Sequence, residues 1–252
     1  MADRETGENG ATCEATRVDR QRIEKVYERY TRAGLVDGVW TDGPAARYIR
    51  EVKWRTVEAL AGARPGWQLG SWAVDMGAGR QSELADAAIG PRPAMAKVLA
   101  IDLLALCTAA LARQPGVHPV LGHAAFLPLA TGSIMVVYQS LMLSSVVDIA
   151  LRGRIYREIA RVTAPGGLFV SYDTRYSNPW NPDTRPVGLH ELRDAFRGWR
   201  HRYRTLTVLP PVLRWIAPVS RRLCRAAEAI PPLRSHRLFV AEKPNEAAGA
   251  AR

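Results

Sequence analysis

The sequence predicts an α/β fold: a seven-stranded, mainly parallel sheet with helices on both faces and an N-terminal helical cap. Three observations carry this. From Ser71 onward, apolar runs of four to eight residues alternate with stretches of helical periodicity. The runs are continuous in apolar character, as strands covered on both faces require. Glycine-rich and Pro-Gly turns punctuate them. With 252 residues, 47% of them hydrophobic, the chain suits one sizeable domain.

The elements follow in order. Residues 1–17 are polar, lean acidic and lack the apolar centre of a secretory signal, so a disordered leader is expected. Between Val18 and Ala33, Ile23, Val26, Tyr27 and Tyr30 fall at helical spacing. A second helix is expected from Ala45 to Ala61, with Tyr48, Ile49, Val52, Trp54, Val57 and Leu60 forming its apolar stripe. Together they form a cap (18–65) preceding a domain at 66–243, and the Ala-rich tail at 244–252 is expected to fray. Within the domain, SWAVDMGAGR reads as a buried strand and a tight turn, ELADAA as a helix and KVLAID as a strand. LLALCTAALAR is a helix, and VHPVLG and SIMVVYQS are strands. DIALRGRIYREIARVT is a helix stopped at Pro165, and GGLFVSYD is a fifth strand. GLHELRDAF (helix), YRTLTVL (strand), VSRRLCRAAEAI (helix) and HRLFVAEK (strand) complete the series, the last two strands forming a hairpin pair.

Composition narrows the function classes. Cys13, Cys107 and Cys224 lie far apart without a CxxC or Cys/His cluster, which argues against zinc and disulfides and fits a reducing cytoplasm. No apolar run approaches the length of a membrane span. The net charge is +11, and much of the excess lies between Arg193 and Arg237. Solvated surface is the expected reading of that cluster, with a phosphate, nucleic-acid or lipid partner as the alternative. The stretch Leu209–Leu233 mixes arginine with apolar residues. Packing on the sheet with the arginines in water is expected, and a membrane-surface position is the alternative.

The first strand of the domain ends VDMGAG. A glycine turn between strand and helix lets backbone approach a ligand, and the helix start offers free N–H groups. The second strand ends at Asp102, roughly twenty residues on, where an acid accepts hydrogen bonds from ribose hydroxyls. These residues propose an adenosine-type cofactor. NAD and S-adenosylmethionine both satisfy them.

Four ordered segments decide between the two by resemblance. VDMGAG, the AID ending at Asp102, GHAAFLPLATGSIMVVYQS and REIARVTAPGGLFVSYD resemble the successive motifs of class I S-adenosylmethionine-dependent methyltransferases, from about Ser71 to Asp173. MLSSVVDIALRGRI and YDTRYSNPWNPDTRPV further resemble a bacterial subgroup associated with sugars, surface glycans and natural products. The resemblance implies a Rossmann-like fold and S-adenosylmethionine as cofactor. It implies that Asp75, Gly77, Ala78 and Gly79 shape the methionine end of the pocket and that Asp102, with Leu103 beside it, takes the ribose. His123 and Ala124 would flank the adenine, and Gln139 would face the sulfonium. Three positions depart from the pattern: Gln81 replaces the third glycine, His123 the Asp that receives the adenine amino group, and Met135 the Asp early in the fourth strand. A neutral imidazole still accepts through one nitrogen, whereas Met135 reads as core.

Methyl transfer from a sulfonium is an in-line displacement in which the protein aligns donor and acceptor. The loop after the fifth strand is rich in binding side chains and supplies the candidates. Asp173 is the expected base for a hydroxyl acceptor, and His190 is a second. Arg175 would hold a carboxylate or diphosphate through its planar fork. Tyr172, Tyr176 and Trp180 from this loop, with Tyr27 and Tyr30 from the first helix, are the other expected substrate contacts. For each, core packing or turn scaffolding is the bland alternative. The expected activity is methylation of an oxygen or nitrogen of a small molecule, a sugar, glycan or secondary metabolite, without a metal. An RNA methyltransferase and a catalytically silent binding protein are the alternatives, and a homodimer is left open.

Overall fold

The computed structural model describes residues 2–32, 43–62, 71–88, 97–178 and 181–245, with side chains from residue 14 onward. Seven strands form one sheet in the order β3-β2-β1-β4-β5-β7-β6. These are β1 (Trp72–Met76), β2 (Lys97–Asp102), β3 (Val117–Leu121), β4 (Ile134–Ser140), β5 (Thr163–Thr174), β6 (Arg200–Val208) and β7 (Arg234–Glu242). The first five run parallel, and β7 lies antiparallel between β5 and β6. Pro119 stands in β3, at the sheet edge, where a missing N–H costs no ladder bond. Strand order reverses beside β1, which opens a crevice at the carboxyl ends of β1, β2 and β4.

Both faces of the sheet are covered, as the continuous apolar runs predict. Alternate residues divide between two cores: Val136 and Tyr138 of β4 and Leu168, Val170 and Tyr172 of β5 face one, Val137 and Phe169 the other. The first core is closed by α2 (Gly43–Ala61), α8 (Pro210–Ile216) and α9 (Arg221–Glu228), through Ile49, Val57, Leu213 and Cys224. The second is closed by α6 (Ile149–Val162) and α7 (Leu189–Ala195), through Ile155, Ile159 and Leu192. Asp148 caps α6, accepting from the N–H groups of Ala150 and Leu151. The helix stops at Val162, two residues before Ala164-Pro165, because a residue preceding proline disfavours the α region. Cys107 is buried in α4 (Ala105–Leu111), as a small core residue should be.

Two expectations change. The first helix, α1, runs Ala2–Arg32 and takes in the stretch read as a disordered leader. The last strand pair is antiparallel as expected, but α8, α9 and a 3-10 turn at Pro231–Leu233 stand between its members. The end of the expected tail, residues 246–252, lies outside the described residues. No helix among those described is long and apolar enough to cross a membrane, and none of their His, Cys, Asp and Glu side chains cluster as a metal site would require.

Candidate active site

At the end of β1, Gly77 and Gly79 both have φ of 65°. A side chain at Gly77 would overlap that of Met142, at the start of α5 (Met142–Ser145), so glycine is required there twice over. The turn is tied to β2 by the Gly77 N–H on the Ile101 carbonyl at 2.8 Å. Asp102 completes the tie. Its Oδ2 accepts from the Gly79 N–H at 2.8 Å and its Oδ1 from the Leu104 N–H at 2.9 Å. Burial raises its pKa while these hydrogen bonds pull the other way. The carboxylate borders a cavity. Gly79 leaves open space beside it: the nearest atom to an added methyl would be the Tyr27 hydroxyl, 4.0 Å away.

These residues line one cavity of about 1730 Å³. A single small-molecule site takes roughly 300–1,000 Å³, so there is room for a nucleoside-sized cofactor and a second molecule. Of the predicted cofactor residues, Asp75, Gly77, Ala78, Gly79, Asp102, Leu103, His123 and Ala124 all border it, as do Tyr27 and Tyr30. Asp75 is buried and serves the turn: it accepts from the Ser82 hydroxyl at 2.7 Å, and Ser82 in turn accepts from the Ala85 N–H, capping α3 (Glu83–Ala88). Burial pushes the Asp75 carboxyl up to about 7.

Helix α1 lies over this half of the cavity. Arg20 donates to the Leu103 carbonyl at 3.0 Å, and Arg22 to the carbonyls of Ser145 and Asp183. His123 Nδ1 accepts from the Ala125 N–H at 3.0 Å, so the proton of the neutral ring sits on Nε2, 3.6 Å from Asp19 Oδ2. Burial works to raise the Asp19 pKa, but His123 and Arg22 outweigh it and hold the carboxyl below its usual value. The imidazole thus has no ring nitrogen open as an acceptor, which corrects the expectation that it receives an amino group.

Six further expectations are corrected by the ends of β4 and β5. Gln139 is fully buried and does not border the cavity: it donates to Ser171 at 2.6 Å and Asp173 at 3.2 Å and accepts from the Met142 N–H at 2.9 Å. Asp173 is equally enclosed, accepting from the N–H groups of Ser144 at 3.1 Å and Thr174 at 2.8 Å, and is therefore no candidate base. Burial raises its pKa against those bonds. Tyr172 points into the core, its hydroxyl 2.8 Å from that of Thr207 and its ring stacked on His236. Arg175 turns away to the Arg234 carbonyl at 2.8 Å, and exposed Tyr176 lies against its guanidinium. His190 is exposed on α7 and does not border the cavity. For the residues at the end of β5 the physical cause is shared: antiparallel pairing with β7 extends β5 through Thr174 and draws the chain beyond it toward Ser235. Trp180 lies outside the described residues.

The cavity is also lined by residues the motif reading missed. Lys53 of α2 is buried, donating to Glu83 Oε2 and, at 3.3 Å, to the Ser140 hydroxyl. Tyr138 donates to the same Glu83 oxygen at 3.0 Å, and Trp54 stacks on Tyr138. The Glu83 side chain keeps 28% of its surface open. Burial works to raise its pKa, and Lys53 and Tyr138 outweigh that, so it is held ionised below the usual range. His236 borders the same space, and burial followed by the charge of Lys53 pushes its pKa down to about 3. One signal was available: Lys53 stands four residues from both Ile49 and Val57, inside an apolar stripe where a lysine is costly without a partner.

Residues 74–171 match the family model of a methyltransferase domain. No curated protein matches the sequence. Among solved structures, the chain resembles the [4+2]-cyclase SpnF at 16% identity, with 89% of this chain and 96% of that one covered and a TM-score of 0.63. A methyltransferase from Archaeoglobus fulgidus dependent on S-adenosylmethionine gives 12%, 84%, 99% and 0.58. Geranyl diphosphate C-methyltransferase from Streptomyces coelicolor A3(2), solved with S-adenosyl-L-homocysteine, gives 15%, 79%, 81% and 0.56. At these identities the likeness is one of fold, the seven-stranded Rossmann-like sheet described above.

Proposed function

We propose that the protein is an S-adenosylmethionine-dependent methyltransferase acting on an oxygen or nitrogen of a small molecule, in the class of sugars, glycans and secondary metabolites. The observation that carries this is a single cavity lined both by the glycine turn with Asp102 and by the polar cluster of Lys53, Glu83, Tyr138 and Ser140. The match at 74–171 and the cofactor product bound in a neighbour of the same fold support the choice of cofactor. The Asp102 carboxylate bordering the cavity and the bare backbone of Gly79 fit the group. Asp102 would hold its ribose, Gly77 to Gly79 its amino-acid end, and Leu103 and Ala124 would flank its base. When bound, the cofactor supplies an activated methyl on a sulfonium.

The chain's own part is alignment and exclusion of water. Glu83 is ionised and partly open, so it accepts a hydrogen bond from an acceptor O–H or N–H and orients the lone pair that attacks. Its low pKa makes it a weak base, suited to positioning more than to full proton removal. Lys53 and Tyr138 hold the carboxylate in place.

The RNA-modifying alternative rested on the late arginines. Several are committed internally: Arg202 to the Leu60 carbonyl, Arg234 to the Glu228 carbonyl, Arg237 to the Val187 carbonyl and Arg221 to Glu51. That favours the small-molecule reading.

The test is calorimetric titration with S-adenosylmethionine, S-adenosylhomocysteine and NAD, followed by an acceptor screen. Binding of the first two alone supports the reading, and binding of NAD alone overturns it. With an acceptor in hand, Glu83→Gln should raise KM for that acceptor or lower kcat, and calorimetry with S-adenosylmethionine on the same variant separates this from an effect on the cofactor.

A further inference from the structure

The segment from Leu209 to Leu233 has two faces. Its inward side chains are used: Leu213 and Cys224 are buried in the core, with Val212, Ile216, Ala227 and Leu233 packed behind them. Its outward side holds large apolar groups that nothing among the described residues covers. Trp215 is 81% exposed, Val219 75%, and Leu223 and Ile230 49% each. Trp215, Val219 and Leu223 follow one another at intervals of four residues across α8, the turn and the start of α9. Large apolar side chains exposed together on one short segment mark an interaction surface.

The charge around the patch identifies what it meets. The segment holds Arg214, Arg221, Arg222 and Arg225 against one acid, Glu228, whose carboxylate is turned inward to the Thr207 N–H. Arg221 is paired with Glu51, whereas Arg214, Arg222 and Arg225 are exposed beside the apolar groups. A second copy of the chain would set arginine against arginine across a two-fold axis, which is unfavourable. Arginine at the rim of a tryptophan-bearing apolar face matches a lipid surface with anionic headgroups: the ring sits at headgroup level and the guanidinium groups meet phosphate.

We propose that α8 and α9 form a peripheral docking face for anionic membranes. Arg214 belongs both to this face and to the lining of the cavity. One wall of the cavity would then lie at the lipid boundary, within reach of acceptors whose reactive group is carried at headgroup height. Docking does not depend on the proposed reaction and is measured apart from it.

The experiment is flotation of the full chain with vesicles of phosphatidylcholine alone and of phosphatidylcholine and phosphatidylglycerol in equal parts. Binding to the anionic vesicles, weakened by salt, is expected. Arg222→Gln with Arg225→Gln should lower the partition coefficient about 25-fold, about fivefold for each charge. Trp215→Ser should lower it at least about tenfold. All three residues are exposed, and circular dichroism and thermal melting check that the variants fold. A wild type that stays unbound with both vesicle types overturns the proposal. So does binding indifferent to the three substitutions. Sedimentation showing a dimer that Trp215→Ser dissociates, with no vesicle binding, would assign the face to a second copy instead.

Discussion

Asp102 and Asp173 are near twins in sequence. Each stands at or next to the end of a buried strand, each is enclosed, each accepts two backbone N–H groups, and burial raises the pKa of both. Yet Asp102 borders the cavity and Asp173 does not. The difference lies in what pairs with the strand beyond. At β2 the neighbours are parallel and the chain is free to turn at Leu103, leaving the carboxylate at the wall of the crevice. At β5 the antiparallel partner β7 carries the ladder through Thr174, and Gln139 with the start of α5 takes up the rest of the carboxylate. An acid at a strand end is therefore a site only where the next element leaves room.

Substitutions break or sharpen that comparison. The largest effect is expected at Asp102. Asp102→Ala removes charge-assisted bonds to a ligand and the tie to Gly79, and should weaken S-adenosylmethionine binding at least about 100-fold in calorimetry. Retained affinity would place the cofactor elsewhere. Asp173→Ala should act on the fold instead, costing about 2 kcal/mol in a denaturant titration through the buried donors it strands, with cofactor affinity within about threefold. Loss of turnover at unchanged stability would restore it as a catalytic group.

Asp75 gives a smaller, pH-dependent effect. Its carboxyl is raised to about 7, so the folded state holds more protons than the unfolded chain between about pH 4 and 7, and stability falls as pH rises through that window. His236, lowered to about 3, acts oppositely: its contribution is present above about pH 6.5 and is lost as pH falls toward 3. Asp75→Asn should remove one of the slopes that oppose His236, and stability should then climb more steeply from about pH 4 to 6, by up to about 1.4 kcal/mol per unit. An unchanged slope would mean Asp75 is ionised in the fold and faces the ligand as Asp102 does. The smallest effect belongs to His190→Ala, within about 0.5 kcal/mol in stability and without change in rate, as for an exposed helix residue. A pH-dependent rate that vanishes in this variant would return His190 to the chemistry.

The amino-acid order alone carried the element sequence, the two covered faces of the sheet, the glycine turn and Asp102. Those depend on periodicity and on spacing within one βαβ unit, where geometry is local and chirality leaves one arrangement. His123 shows the limit: its position beside the cavity was legible, but its Nδ1 is taken by the Ala125 N–H and its Nε2 faces Asp19 of α1. Lys53 and Glu83 meet across thirty residues because α2 packs on the sheet face that carries Tyr138. Tyr172, Arg175 and Tyr176 read as binders by type, and were assigned to core and backbone by a strand some sixty residues later. Side-chain type and spacing say what a residue can do; the direction it points at a strand end is decided by partners remote in sequence, and only the tertiary structure supplies them.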